Sequence, residues 1–190
     1  EFEFEFAVAA NIATNAATAN TPVAYELESS VDTDKTTSAT GYTIKKSVTS
    51  ASFVADDVRA SVKPTKFTIG GTTSAVGALA KDGTVTVTAV PDVFVTGGAD
   101  LAITITKPTL TGCTATGATT SAKILVITLK TEVSSGNCDI AASTEFEFEF
   151  AVAANTATNA ATVGSVAYQL ESSVDTDKTM SATGYKIKPQ

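Results

Sequence analysis

The sequence predicts an all-β fold, a β-sandwich preceded by an extended N-terminal strand segment. Three observations carry this. Val and Thr, β-branched residues that suit a pleated surface, are abundant along the 190 residues. The chain opens on a strict two-residue alternation, Glu1-Phe2-Glu3-Phe4-Glu5-Phe6-Ala7-Val8. Short apolar runs are then punctuated by Gly, Pro, Asp and Asn, the pattern of many strands joined by turns.

Alternation places Phe2, Phe4, Phe6 and Val8 on one face of the first strand and Glu1, Glu3 and Glu5 on the other. Such a strand left as a free edge invites aggregation, so it must be paired. The segment Ala9 to Ala19 is rich in Ala, but its Thr and Asn favour a loop over a helix. Further strands are predicted over Val23 to Leu27, Tyr42 to Val48, Ala51 to Val54, Val58 to Val62 and Lys66 to Ile69. Thr84 to Val90, Val93 to Val95, Leu101 to Thr106 and Lys123 to Thr131 follow. Turns are expected at Gly70-Gly71, Asp82-Gly83, Gly97-Gly98 and Ser135-Gly136-Asn137. Pro64, Pro91 and Pro108 bound strands.

An internal repeat dominates the sequence. Glu1 to Asn11 recurs without change at Glu145 to Asn155. Val23-Ala24-Tyr25 answers Val166-Ala167-Tyr168, and Ser29 to Thr36 answers Ser172 to Thr179. Ser38 to Tyr42 answers Ser181 to Tyr185. The offset is 144 residues, then 143 after one deletion near Asn20 to Pro22. The copies differ at scattered positions: Ile12 against Thr156, Glu26 against Gln169, Thr37 against Met180, Thr43 against Lys186. The chain therefore holds one unit of 144 residues and the first third of another. The expected organisation is an N-terminal strand segment, 1–46, and a sandwich body, 47–190, of which 145–190 is the second copy. All aromatic residues except Phe53, Phe67 and Phe94 lie in the two copies, so tight packing is expected there.

The residue types exclude much chemistry. With no His there is no Ser-His-Asp or Cys-His catalysis and no His-ligated metal. No phosphate-binding glycine loop is present, since Gly70-Gly71 and Gly97-Gly98 lack the following Gly and Lys. An enzyme is not expected, and no cofactor. Net charge is −7 with a single Arg, Arg59, so nucleic acid is a poor partner. Cys113 and Cys138 read as one disulfide closing a short loop, which suits an oxidising, extracellular setting. Both cysteines are expected in loops near strand ends. Two Cys without His cannot complete a zinc shell. No apolar run is long enough to span a bilayer, and the opening Glu1 reads as the start of a processed chain, although a trimmed fragment would look the same. No Asn begins a glycosylation sequon. Asp32-Thr33-Asp34 and Asp175-Thr176-Asp177 offer carboxylates that could begin a calcium shell, but they lack the EF-hand glycine spacing. An exposed Asx-turn is the favoured reading of both, and of the weaker pair Asp56-Asp57.

The row Phe2, Phe4, Phe6 resembles the donor strand of pilins assembled by donor-strand exchange, over about the first ten residues. The resemblance implies an immunoglobulin-like, pilin-like sandwich and an extracellular, cell-surface filament. Its subunits would polymerise head to tail with copies of themselves by β-strand addition, through a heterologous, non-closing interface. Phe2, Phe4, Phe6 and Val8 would insert into a neighbour. Phe146, Phe148, Phe150 and Val152 would do the same within the chain. Such pilins do not generally carry a second donor copy, and here one is present. The alternative is a repeat domain of a tandem-repeat surface adhesin or surface-layer protein. A carbohydrate-binding module is disfavoured, because the aromatics alternate as buried residues do.

Overall fold

The structure, a computed structural model, describes residues 25–27, 36–38, 46–131, 138–179 and 183–190. The chain divides into two compact units, Glu1–Lys45 and Lys46–Gln190. In the first, β1 (Tyr25–Leu27) and β2 (Thr36–Ser38) form an antiparallel pair in which Leu27 faces Thr36. The predicted Glu1 to Val8 strand, the Ala9 to Ala19 loop and the Asp32-Thr33-Asp34 turn lie outside the described residues.

The second unit is all-β. Its strands are β3 (Thr49–Ala55), β4 (Phe67–Thr72), β5 (Thr84–Val90), β6 (Gly98–Lys107) and β7 (Cys113–Ser121). They continue as β8 (Ile124–Thr131), β9 (Glu145–Phe150), β10 (Gly164–Ser172) and β11 (Thr183–Ile187). All nine join one antiparallel sheet in the order β11-β10-β5-β8-β7-β6-β9-β4-β3. The two ends of that order approach each other just beyond β11. Lys188 N donates to Val58 O at 2.8 Å, and Ala60 N donates to Lys188 O at 2.8 Å. The sheet is thereby nearly closed into a barrel, which leaves little open edge to aggregate.

Alternation builds the interior. Val85, Val87 and Ala89 of β5, Leu125, Ile127 and Leu129 of β8, and Val166, Tyr168 and Leu170 of β10 all point inward and are buried. An aromatic cluster fills one end, with Phe53 and Phe67 at 5.0 Å between ring centres and Phe67 edge-on to Phe94 at 5.7 Å. Cys113 and Cys138 form the expected disulfide.

Several sequence expectations are corrected. Cys113 opens β7, an unpredicted strand rather than a loop. Its inward residues Ala115, Gly117 and Thr119 are small, so it lacks the bulky apolar alternation that marks its neighbours. Gly70-Gly71 is no turn and lies inside β4. A Cβ on Gly71 would fall 2.5 Å from Val48 Cγ1 and 3.0 Å from Phe146 Cζ, so glycine is there for close approach across the core. Val58 to Val62 forms a turn with a single bridge, Arg59 to Lys188, because only that point of the stretch pairs across the seam. Residues 46–48 lead into β3 without strand pairing. Val93 to Val95 shrinks to one bridge between Phe94 and Thr156. Among the described residues no helix is long and apolar enough to cross a membrane.

Candidate strand-exchange site

The sequence of β9 is Glu-Phe-Glu-Phe-Glu-Phe, and the structure places it between two antiparallel neighbours, β4 and β6. Both of its backbone edges are consumed, so β9 is an interior strand of the sheet. Phe146, Phe148 and Phe150 are fully buried. Phe150 faces Phe67 and Ile103, Phe148 faces Ile69 and Ile105, and Phe146 faces Gly71. The missing side chain at Gly71 makes room for the Phe146 ring. Each buried Phe removes about 150–250 Å² from water, which at ~25 cal/mol per Å² is several kcal/mol for the row.

The opposite face carries the register. Lys66 Nζ lies 3.0 Å from Glu149 Oε2, beside β4. Lys107, the last residue of β6, lies 2.8 Å from Glu145 and 3.8 Å from Glu147. Thr106 Oγ1 donates to Glu147 Oε1 at 2.7 Å. The hydrogen bond and charge of Glu145, aided by Glu147, raise the Lys107 pKa above its usual value. A one-residue slip would turn every Phe to solvent and break these pairs together. The slot thus reads a sequence as well as a shape.

The rest of the copy is fixed to the body as firmly. Val152, half-buried, packs against the core before a short 3-10 turn, Ala153–Asn155. Thr156 Oγ1 donates to Pro64 O at 2.6 Å. Asn159 Nδ2 donates to both Asp57 O and Arg59 O at 3.0 Å, and its Oδ1 accepts from the Tyr185 hydroxyl at 3.2 Å. Asn159 therefore ties β11 to the 57–62 turn. Burial pushes the Tyr185 hydroxyl up to about 12. The hydroxyl of Tyr168 donates to Ala51 O, joining β10 to β3.

The two Asp-Thr-Asp turns were the calcium candidates. Asp32 and Asp34 lie outside the described residues. Asp175 is fully buried, which corrects the expectation of an exposed turn. Its carboxylate accepts from Ser74 N at 2.8 Å and Ser74 Oγ at 2.6 Å, and its own N donates to Ser172 Oγ at 2.8 Å. A Cβ on Gly77 would sit 2.3 Å from that carboxylate. Asp175 is thus an anchor of the copy onto the 74–77 loop. Asp177 N donates to Lys46 O at 2.9 Å. Among the described residues no cluster of three His, Cys, Asp or Glu could hold a metal ion. Asp57 pairs with Arg59, whose hydrogen bonds hold its carboxyl at about 2, and Asp56 accepts from the backbone of Thr65 and Lys66.

Sequence reasoning thus found the Phe row and missed Asn159, Ser74 and the anchoring role of Asp175. Retention of Asn15 with Asn159 and Asp32 with Asp175 was the available signal.

No family model matches the chain, and no curated protein matches it. The chain is similar to a solved structure of AvmM, which catalyzes macrocyclization in alchivemycin A biosynthesis. Identity is 9%, the TM-score is 0.33, and the match covers 79% of this chain and 87% of that one. A likeness at that level bears on neither fold nor activity.

Proposed function

We propose that the protein is a structural subunit of an extracellular, pilus-like filament, polymerising with copies of itself by β-strand addition, and not an enzyme. One observation carries this reading. The strand that occupies an interior slot of the sheet, Glu145–Phe150, opens a segment, Glu145 to Asn155, that has an identical copy at Glu1 to Asn11. Whatever the slot offers to Phe146, Phe148 and Phe150 it offers equally to Phe2, Phe4 and Phe6 of another molecule. Exchange of one for the other leaves the buried row and its Lys66 and Lys107 partners unchanged.

The reading takes the nearly closed sheet as a flattened, pilin-like sandwich. Leu170 of β10 lies 3.4 Å from the Cβ position of Gly71 on β4, so side chains from near the two ends of the sheet order meet in the core. The disulfide suits an oxidising exterior. A second reading, a repeat domain of a surface adhesin or surface-layer protein, is favoured by the boundary between Lys45 and Lys46. A body followed by its copy forms a complete unit, which tandem repetition could string together. Many copies of Val48 to Ser143 in the gene would favour that arrangement.

Phe4→Asp tests the proposal without altering the second unit. A charge on the donor row cannot enter a dry slot. The variant is expected to stay a folded monomer by circular dichroism and light scattering. Normal filaments from it would refute strand exchange through the first copy.

A further inference from the structure

We infer that the outward face of β5, β8 and β7 docks against the same face of a second copy of this chain, in a neighbouring filament. The inference rests on the strand-exchange reading, which supplies the filament, and adds a surface that strand exchange does not use.

The first observation is a strand that is apolar on both sides. Leu125 and Ile127 of β8 fill the core, and Ile124 and Val126 alternate with them on the outside. An antiparallel strand with one face in water turns polar residues outward, whereas an unbroken apolar run marks a strand covered on both faces. The neighbouring strands extend the pattern. Pairing places Thr86, Val126 and Ala118 in one row across β5, β8 and β7, and Thr84, Thr128 and Thr116 in the next. Thr88 faces Ile124 in a third row, and exposed Val90 follows Thr88 on the same face of β5. None of these side chains is charged. The outward face around β9 differs, because Glu145, Glu147 and Glu149 stand there with Lys66 and Lys107.

The second observation is what chemistry the face can meet. It holds no cation for a phosphate, no carboxylate for a basic partner and no aromatic ring on which a sugar would stack. The methyl groups of Thr, Val and Ile suit another uncharged, β-branched sheet, and such faces interdigitate about 10 Å apart. The face is itself a surface of that kind. It is also where two chains of net charge −7 meet with least repulsion. Of the charges at its border, Glu171 lies 4.0 Å from Lys178 and Lys123 lies 4.0 Å from Asp92. Lys130 stands one row beyond Thr128, level with Thr114.

Area decides the setting. A residue on one face spans about 4.8 Å across a sheet and ~6.7 Å along it, so the three rows cover roughly 260 Å². A stable pair buries about 800 Å² on each side. Two lone molecules therefore part, while two filaments, each presenting the face once per subunit, make many such contacts together.

The test is negative-stain imaging of the full native chain beside Val126→Lys. Native filaments are expected to lie side by side in bundles that survive raised salt, since no ion pair holds them. Val126→Lys sets like charges against each other across the contact and should give single filaments. Thr86→Lys, one strand away in the same row, makes the same test where Val126→Lys loses its native circular dichroism. Val126→Thr keeps the face uncharged, and Thr109→Lys puts the charge in the exposed stretch between β6 and β7, so both should leave bundles intact. Bundles that persist in both face lysine variants, or that dissolve in salt, overturn the inference. Single native filaments overturn it and leave strand exchange standing. A native chain without filaments removes the strand-exchange reading and the inference with it.

Discussion

Tyr185 shows how a single side chain ties the second copy of the repeat to the body. Its ring packs on Phe53 at 5.9 Å, and its hydroxyl meets Asn159. The phenol ionises from an ordinary value of 10.0 in the unfolded chain but at about 12 when folded. The folded state therefore resists a charge that the unfolded state accepts. Tyr185 costs nothing below pH 10, and stability falls as pH rises from 10 to 12. Melting temperature measured across that window should decline more steeply for the native chain than for Tyr185→Phe. Equal slopes would show that the hydroxyl is not held in the buried state described. Asp175 makes a related point about what one sequence can reveal. Its partner Ser74 lies 101 residues away, so no local pattern separates this buried anchor from an exposed turn. Loss of such a partner typically costs about 1–3 kcal/mol, because a buried acceptor is left unpaired.

At the level of elements, periodicity decided what was legible. Thr84 to Val90 is a strand over the predicted residues, because Val85, Val87 and Ala89 alternate with polar Thr. The β9 row was legible for the same reason. β7 was not, since Ala115, Gly117 and Thr119 bury little area and look like loop residues. Gly70-Gly71 misled in the opposite sense, as glycines needed for close packing in a strand carry the same letters as a turn. The disulfide holds the start of β7 to the segment leading into β9, across a separation of 25 residues. Closing a loop of that length constrains the unfolded chain by about 3 kcal/mol. Urea unfolding of Cys113→Ser with Cys138→Ser should show a loss of that order. A loss well under ~1 kcal/mol would mean that the β7–β8 ladder already fixes this hairpin in the unfolded ensemble.

For the whole molecule, the arrangement follows from one redundancy. The body has a single slot between β4 and β6, and the chain carries two segments written to fill it. One of them fills it within the second unit, and the proposed exchange gives the other to a neighbour. The repeat was plain from the sequence, but the interior position of β9 was not, because strand order depends on pairing between residues far apart in the chain. The most direct measurement is negative-stain imaging of the native protein beside a version lacking Glu1 to Asn11. The account predicts filaments from the native chain and folded monomers from the truncated one. Monomers from both, or filaments from both, would contradict strand exchange through the first copy.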